Sequence, residues 1–183
     1  VINLAGKTVV PGLIDAHGHV ASLGFLASRL DVTGTTSPQE IAKRVAAKAA
    51  DLKPGLWILG RGWDQNDWEG KSFPARLLLD EVAPANPVAL DRVDGHAVWT
   101  NSRAIEMAGV TRSTPDPPGG QIIRDASGEP TGVFVDAAAA LIEKKLPAPT
   151  RHEMIEALRM GMRRCLEAGL TGVHDAGVSA DQL

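Results

Sequence analysis

Thr150 and Glu153 stand three residues apart, just ahead of an apolar periodic run. In that arrangement each side chain serves the other's backbone N–H at the start of a helix. Met154, Ile155, Leu158, Met162, Cys165 and Leu166 follow at helical spacing on one expected face, and Gly169 stops the run. The chain then passes without a linker into LTGVHDAGV, which reads as a buried strand. A helix that returns directly to a buried strand is the second half of a βα unit, so this strand calls for a parallel neighbour earlier in the chain. The matching stretch is LIDAH, which follows the Pro11-Gly12 break in the run from Thr8 to Val20. Strands near residues 13–19 and 170–175 are therefore expected side by side. The segment between them, roughly Val20 to Pro149, far exceeds a usual βα loop of about 2–6 residues. It reads as an insertion with a small core of its own.

The insertion carries its own punctuation. Ser37 as N-cap, Pro38 at the first helical position and Glu40 closing a capping box predict a helix. Ile41, Val45, Ala49 and Leu52 recur along it at helical spacing until Pro54-Gly55. LWILGRGWD reads as a strand entering a glycine-rich turn, PARLLLDEVA as a short helix and PVALDRVDG as another strand. NSRAIEMAGV reads as a helix with an Asn/Ser cap and Gly109 at its C-terminal end. After a Thr/Pro/Gly-rich loop, GQIIRDASGEPTGVFVD predicts a hairpin turning at Ser127-Gly128. At the front, VINLAGKTVV predicts a short strand and a Gly6-Lys7 turn. The class is α/β.

Composition narrows the function. With 183 residues and 44% hydrophobic content the chain can bury a sizeable core. A net charge of -3 leaves no basic excess for nucleic acid or an anionic membrane, so neither is expected as a partner. The single cysteine, Cys165, excludes an intrachain disulfide and a Cys-rich structural zinc site, and it fits a reducing, cytoplasmic compartment. No apolar run approaches the length of a membrane span. The sequence opens at Val1 without a methionine, which leaves room for a lost signal peptide.

The chemistry gathers at LIDAHGHV. Side chains alternate along a strand, so Asp15, His17 and His19 are expected on one face, with Gly18 leaving space between the imidazoles. Two imidazoles at a strand end can ligate one divalent cation, and zinc, iron and nickel all accept such donors. Asp15, one step down the same face, is placed to orient an imidazole. The plainer alternative is a pair of polar histidines in a turn.

GKTVVPGLIDAHGHV resembles the signature that opens the barrel of the amidohydrolase superfamily. GRGWDQNDW, LDEVAPANPVALDRVDGHAVWTNSRAIEMAGV, PPGGQIIRDASGEPTGVF and GLTGVHDAG resemble, in this order, the amidohydrolase family 3 branch that includes N-substituted formamide deformylases. The resemblance covers nearly the whole chain. It implies part of a metal-dependent hydrolase (β/α)8 TIM barrel with a large α+β insertion and a remnant of an N-terminal β-sandwich. Residues 1–12 would be the sandwich remnant, 13–20 and 150–183 the first two strands and first helix of the barrel, and 21–149 the inserted subdomain. His17 and His19 would be metal ligands, for zinc first, with one ion or a pair in the complete enzyme. The substrate would be a small molecule with an amide-like C–N bond.

Further ligands and the catalytic acid/base residue would lie on later strands that this chain lacks, so the chain alone is expected to be inactive. Trp63, Asp64, His96 and Trp99 are candidates for substrate binding, with Asp94 beside His96. His174 and Asp175 end the second barrel strand, where both can assist, with His174 equally suited to burial beside the barrel; His152 reads as a surface residue and Cys165 as a core thiol. The competing expectation is a non-catalytic α/β module. Under both, exposed barrel strands and helix faces predict a homo-oligomer.

Overall fold

The computed structural model describes residues 3–178. Along the chain run β1 (Leu13–Gly18), α1 (Val20–Ser28), β2 (Leu30–Asp31), α2 (Pro38–Ala50), β3 (Ile58–Trp63) and a 3-10 turn (Gln65–Asp67). They are followed by α3 (Leu77–Val82), β4 (Val88–Arg92), β5 (Ala97–Thr100), α4 (Ser102–Ala108), β6 (Gly120–Arg124), β7 (Pro130–Asp136) and α5 (Ala140–Glu143). The last two are α6 (Arg151–Glu167) and β8 (Leu170–Asp175). These elements form two units, one from residues 1–28 and 149–183 and one from residues 29–148. Among the described residues no helix is long and apolar enough to cross a membrane.

In the first unit β1 and β8 pair in parallel, with Leu13 opposite Leu170 and Gly18 opposite Asp175. The capping box that opens α6 is formed: Thr150 Oγ1 accepts the Glu153 N–H, and the Glu153 carboxylate accepts the Thr150 N–H. The packed face of α6 is displaced from the one that its large apolar residues predict: Met154, Ile155, Leu158 and Cys165 are half-buried, but the centre of the contact lies to one side of them. Met162 and Leu166 are 51% and 68% exposed, whereas Ala157 and Gly161 are buried. The reason is the close approach of α1. A Cβ on Gly24 would overlap the Ala157 carbonyl, and one on Gly161 would overlap the Val20 carbonyl, so the helices meet where side chains are smallest. The short strand expected before Gly6 is not formed in residues 3–12, which carry a turn closed by Lys7 N–H to Leu4 O. A strand persists only with a ladder partner, and none of the described residues pairs with this segment; residues 1–2 and 179–183 lie outside those described.

The second unit holds a six-stranded sheet in the order β2-β3-β4-β5-β7-β6. The β2–β3 and β3–β4 pairs are parallel and the others antiparallel. Alternation along the strands divides two cores. Leu90, Trp99 and Val133 face one cluster with Ile41, Val45, Trp63 and Leu79. Ala89, Val98 and Phe134 face the other with Ile105 and Ile142. Ser37 caps α2 through the Glu40 N–H, while the Glu40 carboxylate reaches Thr36, one residue ahead of the expected box partner. The β6–β7 hairpin turns at Ser127-Gly128 as the sequence predicts, with Asp125 Oδ1 accepting the Ser127 and Glu129 N–H groups. Two strands, β2 and β5, are absent from the sequence-based reading.

Candidate metal centre

The C-terminal end of β1 departs from an ideal strand. Between Asp15 and Gly18 the strand advances three residues while β8 advances from Val173 to Asp175, so β1 carries one extra residue. The freed His17 N–H donates to Asp15 Oδ1 at 2.9 Å. Asp15 thus acts on His17 through the main chain rather than through the imidazole. His19 lies beyond the strand. Its carbonyl accepts the Leu23 N–H at 2.9 Å, which makes it the residue that caps α1. Strand alternation therefore does not explain where His19 points; the strand-to-helix junction does.

Both imidazoles are exposed, and their ring centres are 5.4 Å apart with the planes nearly perpendicular. Two imidazoles on one ion at a tetrahedral angle, each bonded at about 2.0–2.1 Å, place their ring centres about 5 Å apart. The observed spacing fits such a pair. Among the described residues no group of three or more His, Cys, Asp or Glu side chains is arranged to hold a metal ion, so the donor set here is two imidazoles. The room between them is not what Gly18 provides: a Cβ there would stand 2.6 Å from Val173 Cγ1, so the bare glycine admits the neighbouring strand.

Asp175 closes the junction from β8. Its Oδ2 accepts the Val20 N–H at 2.9 Å and its Oδ1 the Gly177 N–H at 3.0 Å. These backbone donors, Val20 foremost, hold its carboxyl below the usual aspartate range. His174, one residue earlier, is exposed rather than buried, and His152 is exposed in the first turn of α6. Cys165 is half-buried.

The expected substrate-binding residues all lie in the second unit, and two of them need correction. Trp63 and Trp99 are fully buried, with ring centres 6.4 Å apart, and Trp63 also stacks on Trp68 at 6.0 Å. Trp63 Nε1 donates to Leu90 O. They are core residues, because an indole at this sheet position is covered by α2, α3 and its aromatic neighbours. Asp64 is half-buried and caps the 3-10 turn through the Asn66 N–H. His96 is exposed in the β4–β5 turn, with Nδ1 2.9 Å from Asp136 Oδ1. Beside it, two hydrogen bonds from Arg92 hold the Asp94 carboxyl down to about 2.

The sequence profile of the amidohydrolase family matches residues 1–183. This chain belongs to the amidohydrolase family. It is 38% identical over 178 residues to the putative amidohydrolase YtcJ of Bacillus subtilis (strain 168), covering 97% of this chain and 34% of that protein. It is 37% identical over 188 residues to the N-substituted formamide deformylase of Arthrobacter pascens, covering 98% of this chain and 34% of that protein. The crystal structure of a metal-dependent hydrolase from Pyrococcus horikoshii OT3 superposes with a TM-score of 0.68 at 22% identity, covering 94% of this chain and 32% of that one. That likeness speaks to fold: this amidohydrolase-family chain is α/β, with a parallel strand pair and part of the family's architecture. The chain spans about a third of the length of the curated relatives it matches.

Sequence reasoning found the histidine pair and singled out Asp175, but not the main-chain contacts by which Asp175 holds the junction. Gly177 is the clearest omission, because a Cβ there would stand 2.7 Å from His19 Nδ1. The readable signal was an acceptor followed two residues later by a glycine at a strand end, in HDAG.

Proposed function

We propose that this chain supplies the first metal ligands of a metal-dependent hydrolase acting on a non-peptide, amide-like C–N bond in a small molecule. The observation that carries the reading is the pair of exposed imidazoles 5.4 Å apart at the C-terminal end of a parallel strand, the strand end where α/β enzymes gather their chemistry. On this reading β1 and β8 are the first two strands of a (β/α)8 barrel and the second unit, residues 29–148, is the insertion, so that α1 falls on the barrel side although the boundary was expected at residue 21. His17 and His19 hold a divalent ion, zinc first, with iron and nickel compatible with the same donors. When bound, the ion supplies Lewis acidity, which makes water a competent nucleophile near neutral pH and polarises a carbonyl. Asp15 fixes the main chain at His17 and leaves the imidazole free. A catalytic zinc takes three protein ligands and an open position, so the remaining ligand and the proton-transferring group belong to sequence beyond this third of the relatives' length, and the isolated chain is inactive.

The bond type comes from the formamide deformylase relative, at 37% identity, and N-substituted formamides are the first substrates to offer. The test is hydrolysis of a panel of formamides, other amides and cyclic ureas by the full-length protein, before and after chelation and again after metal is restored. Activity that is lost on chelation and returns with a divalent ion is expected. Undiminished hydrolysis by the chelated protein would remove the metal from the account. The single cysteine accords with the cytoplasm as its compartment. A second reading, a non-catalytic module that self-associates, is favoured by the exposure of Val9, Val10, Leu13, Ile14 and Leu166 in the first unit.

A further inference from the structure

The β1–α1 junction is gripped on both sides of His19 by residues more than 150 positions away in sequence. Ala176 N–H donates to Gly18 O at 3.0 Å on one side, and Asp175 Oδ2 accepts the Val20 N–H at 2.9 Å on the other. The second carboxylate oxygen takes the Gly177 N–H at 3.0 Å, tying the segment after β8 to the same clamp. The imidazole itself is seated against this segment. A Cβ on Gly177 would stand 2.7 Å from His19 Nδ1 and 3.0 Å from Cε1. Asp175 Oδ1 lies 3.9 Å from Nδ1, too far for a hydrogen bond. Gly177 is not among the glycines with positive φ, so its backbone does not require glycine. The space taken by the ring does.

We propose that Asp175 and Gly177 are positioning residues for His19: the carboxylate fixes its main chain, and the missing side chain lets its Nδ1 edge lie over β8's exit. The inference rests on the reading of His19 as a metal ligand. With the Nδ1 edge turned toward Gly177, Nε2, across the ring, is the nitrogen left for an ion. Neither residue touches the ion in this scheme. Their effect reaches it through the orientation of one ring, the kind of support whose removal typically weakens metal binding about 10–100-fold.

Gly172 provides an internal control on the same strand, because a Cβ there would meet Ile14 at 3.5 Å, an ordinary contact. The experiment compares the full-length protein with its Gly177→Ala, Asp175→Asn and Gly172→Ala variants. Two readouts are taken: the His19 imidazole NMR signals of the metal-free proteins, and the cobalt(II) affinity and visible spectrum. Gly177→Ala and Asp175→Asn should each move the His19 signals, weaken cobalt binding about 10–100-fold and alter the cobalt spectrum. Gly172→Ala should match the parent in all three. If both test variants match the parent, or if Gly172→Ala shifts as much as they do, the positioning role is wrong while the ligand reading survives. If the parent takes up no cobalt, the hydrolase reading falls, and the metal-free His19 signals decide the positioning claim by themselves.

Discussion

His17 and His19 flank a residue that has no room for a side chain, since a Cβ on Gly18 would press Val173 Cγ1 at 2.6 Å. Gly18→Ala is therefore expected to push β1 from β8 and cost about 1–3 kcal/mol in urea denaturation. The two buried indoles give a sharper comparison. Trp63 and Trp99 are both fully buried, yet Trp63 Nε1 donates to Leu90 O while Trp99 Nε1 has no partner among the described residues. Trp63→Phe should thus be more destabilising than Trp99→Phe by about 1 kcal/mol, the net worth of one hydrogen bond; equal losses would contradict this. Asp94 predicts a pH response. Its folded pKa of about 2 lies below the ordinary 3.8, so its stabilising contribution is complete above about pH 4 and disappears as pH falls toward 2. Across that interval Tm should fall more steeply for the parent than for Asp94→Asn.

At the scale of elements, the α1–α6 contact depends on absent side chains. Gly161→Val would drive a side chain into the Val20 carbonyl and is expected to cost at least about 1–3 kcal/mol. Met162→Ser, on a half-exposed position of the same helix, should stay within about 0.5 kcal/mol. Thermal unfolding of the two variants distinguishes the packed face from the exposed one. The contrast also shows which parts of the fold were legible. Caps at Ser37, Asn101 and Thr150 and the turn at Ser127-Gly128 are decided within a few residues, and the structure forms all of them. The α6 face was legible in part: Met154, Ile155, Leu158 and Cys165 are half-buried, but Met162 and Leu166 are exposed. Periodicity counts large apolar residues, whereas two backbones in close approach select Ala157 and Gly161. β5 was hidden because four residues between a turn and a capped helix carry little pattern, and it exists through pairing with β4 and β7. At the candidate site, His17 and His19 were visible as a motif. The extra residue in β1 and the clamp from Asp175 were not, because both depend on β8.

At the scale of the whole chain, about a third of the relatives' length is represented, and the first unit leaves Leu13, Ile14, Met162 and Leu166 exposed. Apolar surface of this kind seeks cover, so the isolated 183-residue chain is predicted to self-associate. Light scattering coupled to size exclusion should give a mass that is a multiple of the monomer; a monodisperse monomer that binds no hydrophobic dye would contradict the prediction. Among the described residues the two imidazoles have no third His, Cys, Asp or Glu arranged with them to hold an ion. The account therefore rests on whether these two histidines hold metal in the full-length protein. Metal content per chain, measured by inductively coupled plasma mass spectrometry on that protein and on its His17→Ala/His19→Ala variant, tests this most directly. Stoichiometric divalent metal in the parent and its loss in a variant that still folds is the predicted result. A parent without metal, or a variant that retains it in full, would contradict the reading of His17 and His19 as ligands.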